Sequence, residues 1–451
     1  MRGGILVGYY GTLDEAHKAC RQLRKKGHRR VAWASKSADG EVHLRDPFHW
    51  HRQLLEDHAR LLVAGESVLI LQTPIETVRG ALAVLQESGE IQPAVFILYP
   101  ERESPTGEDW SLGKPTTPGQ LQEHAQRLST SHRSAVGLPH NTKLLKQVER
   151  NSRRIHEACV DLTVANHLEQ SVSPAAEWLL DNEYIVEGNA RKILLNLPRR
   201  YYRQLPALTS DPDRELPRIY GLARELVSHT DLRLDRENIV AFVEAYQTEV
   251  PLSIGELWAV PQMLRTALMD GIQQIAGRTG TELRERGIAN FWANRLIAVN
   301  RKDPQRIFSI LAELTQTQPD PSPYFASQLI DYLYDEEPAL APVRSWLERK
   351  LQKSLSDLSL QAKNRQTRDQ ISIGNAFTSL RQLDLLDWKV CFEQLSRVEA
   401  LLRLDPAGIY PHMDFNTRDR CRQAIENLRR GSGLGETEVA RRVLDLATRA
   451  A

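Results

Sequence analysis

Cysteine is scarce and scattered in this chain. Cys20, Cys159, Cys391 and Cys421 are the four in 451 residues, and no two stand at a paired spacing. That argues against a disulfide framework or a cysteine zinc site and suits a reducing compartment. Long apolar runs are missing too. A membrane-spanning helix needs about 20 apolar residues, and the run "ARLLVAGESVLIL" is broken by Glu66. The opening "MRGGILVGYYG" turns polar too soon for a signal peptide. Net charge is nearly absent, at +1, so no overall field draws the chain to nucleic acid or an anionic bilayer. No glycine-rich phosphate loop joins a strand to a helix, and no G-x-S-x-G elbow occurs. These absences predict a water-soluble, cytoplasmic chain with no transmembrane segment, no cofactor, no metal and no nucleic-acid partner.

What is present is ordinary globular material, 41% apolar and 26% charged. The length exceeds one hydrophobic core, which predicts two or three domains. Residues 4 to 100 echo themselves. "GILVGYYG", "TLDEAHKACRQLRKKG" and "RRVAWASK" are followed by "SVLILQ", "TPIETVRGALAVLQESG" and "PAVFILYP". In each half an apolar run leads to a threonine with glutamate three residues on, Thr12 with Glu15 and Thr73 with Glu76. That spacing predicts a capping box, with Pro74 at a first helical position and helix ends at Gly27 and Gly89. Strand–helix–strand twice predicts a ferredoxin-like, split β-α-β domain over 1–100. An extra strand or hairpin at "EVHLRD" and a helix from about Phe48 to Val63 are expected between the halves.

"ERESPTGEDWSLGKPTTPGQ" reads as a linker by its Pro, Gly, Ser and Thr content, and "TSHRSAVGLPHN" is a second break, so 101–141 is assigned as linker. Helical periodicity dominates from there onward. The expected fold class is α+β: a small ferredoxin-like domain, then a large all-α domain with lobes at 142–315 and 316–451.

"SPAAEWLLDNEYIVEGN" (173–189) places acids among aromatic and aliphatic residues, as sugar sites and ordinary buried helices both do. Helical spacing puts Ala175, Trp178, Leu179, Asn182, Ile185 and Val186 on one side. Glu177, Asp181, Tyr184 and Gly188 form the adjoining stripe, and acids near a helix start are favoured by the dipole regardless of function. Trp178 is expected to be buried and Glu177 to be paired. "PLSIGELWAVPQMLRTAL" (251–268) repeats the ingredients with Glu256, Trp258 and Arg265 around a mid-helix Pro261, which should remove a backbone bond and kink the helix. A core tryptophan with a capping glutamate is the plain reading of that stretch. His229 and Asp231 stand two apart at a helix end, a spacing more typical of a cap than of a catalytic dyad. His49 and His51 in "FHWH" would point to different helix faces, unsuited to one metal. Asp211-Pro212-Asp213 reads as turn chemistry.

The same stretches carry a resemblance. "SPAAEWLLDNEYIVEGNARKILLNLPRRYYRQLPAL", "RIYGLARELVSHTDLRLD", "AYQTEVPLSIGELWAVPQMLRTAL" and "SIGNAFTSLRQLDLLDWKVCFEQLSRVEALLRLDPAGIYPHMDFNTRDRCRQAIENL" resemble, in order, the N-terminal region of cyclic β-1,2-glucan synthases. Residues 1–110 resemble an N-terminal extension of some members. The resemblance implies a system of very long membrane proteins that polymerise glucose from UDP-glucose and cyclise the chain, with a glycoside-phosphorylase-like module near the C-terminus. The region matched precedes the membrane glycosyltransferase, and "GLGETEVARRVLDLATRAA" falls about where the first membrane helices are expected. The resemblance carries over no catalytic residue. It implies landmark positions at Glu177, Trp178, Asp181, Asn182, His229, Asp231, Glu256, Trp258, Arg265, Asp414 and Arg418.

Three expectations follow. The first is a non-catalytic, truncated or split module that supports or docks the glycosyltransferase, peripheral to the inner membrane through it. Any β-1,2-glucan or partner contact would lie among Glu177, Trp178, Asp181, Tyr184, His229, Asp231, Glu256, Trp258 and Arg265. The second is a stand-alone glucan-acting enzyme using Glu177 and Glu256. The third is a regulatory adaptor acting through its N-terminal domain.

Overall fold

Two of the N-terminal strands are apolar at consecutive positions, not alternate ones, and such strands need cover on both faces. The computed structural model shows that cover. It describes residues 3–45, 65–74, 77–87, 90–97, 116–135, 143–167, 172–209, 213–302, 304–334 and 341–450, together with Leu55, Ala59 and Leu62. The N-terminal elements are β1 (Gly3–Tyr10), α1 (Leu13–Lys25), β2 (Val31–Lys36), β3 (Val42–Arg45), β4 (Ser67–Pro74), α2 (Val78–Glu87) and β5 (Glu90–Ile97). The sheet order is β3-β2-β4-β1-β5, antiparallel throughout. Strand β1 thus lies between β4 and β5, which interleaves the two strand–helix–strand passes in the split β-α-β arrangement. The exposed strand β3 extends the edge beyond β2.

Helix α1 begins as its sequence dictates. Glu15 N–H donates to Thr12 Oγ1 at 3.3 Å, and Thr12 N–H donates to Glu15 Oε2 at 3.2 Å. Ala16, Ala19, Cys20 and Leu23 form its buried stripe. Gly27, at φ +93°, follows the cap in the left-handed conformation that glycine adopts without strain. The second half departs from the expected box. Thr73 and Pro74 finish β4, and helix α2 starts only at Val78. Thr73 is buried, with its hydroxyl 2.8 Å from Thr77 Oγ1 and 2.9 Å from His28 Nδ1. Sheet pairing with Gly4 holds Thr73 in the strand, so it cannot turn to cap a helix. Glu76, Gly89 and most of the expected 48–63 helix lie outside the described residues.

One sheet face packs Leu6, Tyr10, Val31, Leu69 and Leu71 against α1 and α2. The other packs Val7, Tyr9, Ala32, Ala34, Val68 and Ile70 against later helices, among them Phe291, Trp292, Phe325 and Trp346. The Tyr9 ring stacks on Phe291 at 4.9 Å. Accordingly the sheet belongs to a unit made of 1–107, 157–180 and 276–369.

A second unit comprises 108–156, 181–275 and 370–451. The unit boundaries therefore do not fall at the expected lobe division near 315. The elements that follow the sheet are α3 (Pro118–Ser131), β6 (Ser134–Ala135), α4 (Lys143–His167), α5 (Pro174–Asn196), α6 (Arg199–Tyr202) and β7 (Ala207–Leu208). Next come α7 (Arg218–His229), α8 (Arg236–Tyr246), α9 (Ile254–Lys302), α10 (Ile307–Thr317), α11 (Pro323–Leu333) and α12 (Ala341–Leu351). The chain ends with α13 (Leu355–Leu385), α14 (Trp388–Leu395), α15 (Arg397–Leu402), α16 (Phe415–Ser432) and α17 (Glu436–Ala450).

Helix α3 corrects the reading of 101–141 as linker throughout. Its Pro, Thr and Gly residues are start signals: Thr117 and Gln120 form a capping box and Pro118 opens the first turn. The short β6–β7 ladder is a further strand pair that the helical periodicity did not predict. Among the described residues no helix is long and apolar enough to cross a membrane.

Candidate functional site

Helix α5 carries the most conspicuous acids and aromatics. Ser173 Oγ caps it by accepting from Ala176 N–H at 3.3 Å. Its buried stripe holds Ala175, Ala176, Leu179, Asn182, Ile185, Val186, Asn189, Ala190 and Ile193. Trp178 stands one step outside that stripe and is 37% exposed, contrary to the expectation of burial. Two small alanines occupy the inward positions where the helix begins, which leaves the indole at the margin. Glu177 is exposed without an ion-pair partner among the described residues, correcting the expected pairing; Asp181 is likewise exposed and unpaired. Tyr184 is 68% exposed. The Arg381 guanidinium donates to Asn182 Oδ1 at 2.7 Å and reaches the Tyr184 hydroxyl at 3.5 Å.

Glu256 is the opposite case, with no exposure at all. Arg218 meets it through two parallel donors, Nε to Oε1 at 2.8 Å and Nη2 to Oε2 at 2.6 Å. Oε2 also accepts from Ser253 N–H and Oγ–H, while Glu256 N–H donates to Ser253 Oγ, which caps α9. A carboxylate so enclosed cannot act as one half of a general acid–base pair across an open cleft. Trp258 is half-buried, stacked on Phe392 at 4.5 Å and edge-on to Phe415 at 6.3 Å. The capping glutamate is as the sequence reading had it, whereas the tryptophan expected in the core is half-buried.

Pro261 lies inside α9, which continues from Ile254 to Lys302. Its missing N–H frees the Leu257 carbonyl four residues earlier. The Trp388 indole N–H donates to that carbonyl at 3.1 Å. Arg265 ties α9 to two more helices through Asn189 Oδ1 (3.1 Å), Leu383 O (3.0 Å) and Asp384 Oδ1 (3.0 Å). Lys192 reaches Asp384 from α5 at 2.7 Å. Burial pushes the Asp384 carboxyl up, but the hydrogen bonds and charges of Lys192 and Arg265 outweigh it and hold the acid below its ordinary range.

His229 and Asp231 do not meet as a pair. Asp231 accepts from Ser372 Oγ at 2.6 Å, and its main-chain carbonyl accepts from Asn375 at 3.0 Å. His229 instead joins His124 and Glu225. His124 Nε2 lies 2.9 Å from Glu225 Oε2, His229 Nδ1 lies 3.7 Å from the same oxygen, and the two rings stand 4.2 Å apart. Burial would raise the Glu225 carboxyl, but the His124 hydrogen bond and the neighbouring His229 and Arg224 charges lower it. Glu225 and His229 sit four apart on α7, a spacing visible in the sequence; His124 comes from α3, inside the presumed linker.

The remaining landmarks are structural. Asp414 caps α16 through Asn416 and Thr417 N–H, and Arg418 donates to Glu393 Oε1 at 2.7 Å. Next to Arg418, the buried Glu399 accepts from Arg422 at 2.8 Å and from the Tyr410 hydroxyl at 2.7 Å.

Several perturbed acids were not singled out by sequence, among them Asp270 and Glu282. Asp270 is pushed up to about 6 by burial, against hydrogen bonds from Tyr220, Gln147 and Asn151. Glu282 is pushed up to about 7 by burial and then by the Asp369 charge. No local motif marks either, because burial is a property of the packed chain. A surface cavity of about 220 Å³ is lined by residues such as Leu234, Ile239, Leu383 and Leu386. It is smaller than the roughly 300 Å³ at which ligand pockets begin, and it includes none of the predicted contact residues.

No protein-family model matches the chain. It is 36% identical over 283 residues to the cyclic beta-(1,2)-glucan synthase NdvB of Rhizobium meliloti (strain 1021), a match covering 62% of the chain. The chain is thus related to that synthase, of whose length the match covers 10%.

Proposed function

We propose that this chain is a non-catalytic structural module of a cyclic β-1,2-glucan synthase system, which docks on or supports a membrane glycosyltransferase from the cytoplasmic side. The relation to the synthase supports the system. The observation that carries the non-catalytic reading is where the polar landmark residues are spent. Glu256 lies closed inside the Arg218 pair, Arg265 clamps three helices, Asp231 accepts from Ser372 of α13, and Asp414 caps α16. Of these, Glu256 and Arg265 are buried, and groups committed to such bonds build a rigid body, whereas catalytic groups must reach substrate. The exposed side chains of α5, Glu177, Trp178, Asp181 and Tyr184, are where glucan or a partner would be met, since sugars stack on aromatic faces and bond to carboxylates. An adaptor working through the N-terminal sheet is less favoured, because described helices cover both of its faces.

Two measurements test this reading. Purified chain incubated with UDP-glucose should form no glucan, and the same chain should co-purify with a membrane glycosyltransferase of a cyclic β-1,2-glucan synthase. Glucan formation by the chain alone would sink the non-catalytic reading, and failure to co-purify would sink the docking one. Calorimetric titration with linear β-1,2-glucan, repeated on Trp178→Ala and Tyr184→Ala, decides whether glucan is a ligand. Heat lost in either variant places the contact on α5, while heat unchanged in both removes α5 from consideration.

A further inference from the structure

We propose that His124, Glu225 and His229 form a binding site for a borderline divalent transition-metal ion, with Zn²⁺ the ion that the donor set suits. Among the described residues these three each offer a ligand atom within 4.8 Å of the other two. Ligand atoms around a four-coordinate Zn²⁺, bound at about 2.0–2.1 Å, stand roughly 3.3 Å apart. His124 Nε2 and Glu225 Oε2 stand 2.9 Å apart, close to that figure. Small inward movements of side chains would close the set on an ion.

His124 pairs with the Glu225 carboxylate, and the second imidazole is brought to the same place by a backbone contact of its own. At 3.7 Å from the carboxylate, His229 is too far for a hydrogen bond to it. Its ring is nevertheless held beside the site, because Nδ1 lies 2.9 Å from the main-chain carbonyl of Glu225. With Nδ1–H donating to that oxygen, Nε2 is the unprotonated nitrogen and the one that His229 would offer to an ion, as in metal-binding histidines whose other ring nitrogen bonds a backbone carbonyl. The backbone is fixed as well: Thr116 N–H donates to His229 O at 3.1 Å, joining the chain just before α3 to the end of α7. The site therefore bridges two elements that are already tied.

Charge and access also fit. The nearest arginine on α7, Arg224, is held by both oxygens of Asp213, and Arg218 is committed to Glu256, so neither is a free cation opposing the ion. The three side chains are 22%, 26% and 23% exposed, enough for an ion to enter and for water to complete its shell. Two imidazoles and one carboxylate favour zinc or a neighbouring transition ion over magnesium or calcium, which prefer all-oxygen sets.

The test uses the whole chain, stripped with chelator and dialysed. Zn²⁺ affinity is measured by competition with a chromophoric chelator, and Co²⁺ substitution reports the donor set. The expected result is one Zn²⁺ per chain, a Co²⁺ visible spectrum of nitrogen and oxygen donors without a thiolate charge-transfer band, and a higher Tm with Zn²⁺. His124→Ala and His229→Ala should each weaken binding at least about 100-fold, more than loss of an outer-shell group does. Glu225→Gln keeps a hydrogen-bonding side chain in place and should also lose the ion, which separates ligand loss from misfolding. The proposal is overturned if the wild type fails to compete with the chelator, if the variants keep wild-type affinity, or if the Co²⁺ spectrum shows thiolate.

Discussion

Replacing Glu256 by alanine should be among the most damaging single changes in this chain. The carboxylate is fully buried, and the Arg218 side chain facing it is 5% exposed. Removing it leaves a guanidinium in the interior with Pro251 O, a long contact at 3.4 Å, and the Tyr246 side chain in place of a counter-charge. Breaking a buried ion pair from one side costs about 3–5 kcal/mol. Glu256 also accepts from Ser253 and completes the α9 cap, whose loss adds roughly 1 kcal/mol. Urea unfolding followed by circular dichroism at pH 7 should therefore place E256A about 4–6 kcal/mol below the wild type. The double variant R218M/E256L removes both charges and should recover most of the pair's share, leaving about the capping loss. E256Q, which keeps an acceptor, should fall between. An E256A protein within about 1 kcal/mol of the wild type, or a double variant less stable than E256A, would refute the account of this pair as an enclosed charge couple.

Other consequences are equally concrete. Trp388→Phe orphans the Leu257 carbonyl and should cost about 1–3 kcal/mol in the same urea assay. Adding Pro261→Ala restores a helical donor to that carbonyl and should reduce the Trp388→Phe cost, a coupling read from the double-mutant cycle. Asp270 has its folded pKa raised from 3.8 to about 6. It binds its proton more tightly in the folded state, so its contribution is most favourable below pH 4 and is lost as pH rises through about 6. Comparing the wild type with Asp270→Asn from pH 4 to pH 7 should show the wild type losing on the order of 3 kcal/mol relative to the variant. Thr117→Ala should cost about 1 kcal/mol by removing the α3 cap, whereas the same change at a true linker residue would leave the urea midpoint unmoved.

The reach of sequence reasoning differs from element to element. The box at Thr12 and Glu15 formed because both partners lie within one turn. The identical pattern at Thr73 and Glu76 did not place a cap at Thr73, because pairing with Gly4 claimed that residue for the sheet. Likewise "PTTPGQ" contains equally good signals for a loop and for a helix start, and only the packing of α3 on α8 decides between them. Trp178 shows the limit of periodicity: a stripe can be located to within one position, and one position separates Leu179 in the core from an indole at the surface.

The sequence by itself determined the α+β class, the split β-α-β order, the helical bulk, the capping role of Glu256 and the relation to a glucan synthase. All of these rest on local spacing or on similarity read residue by residue. Tertiary structure alone decided that Glu256 closes on Arg218, that Trp388 serves the carbonyl freed by Pro261, and that His229 meets His124 instead of Asp231. Those partners lie between 38 and 131 residues apart in the chain. No propensity or period spans such separations; only burial of the faces between helices brings the groups together, and removal from water makes each pairing matter.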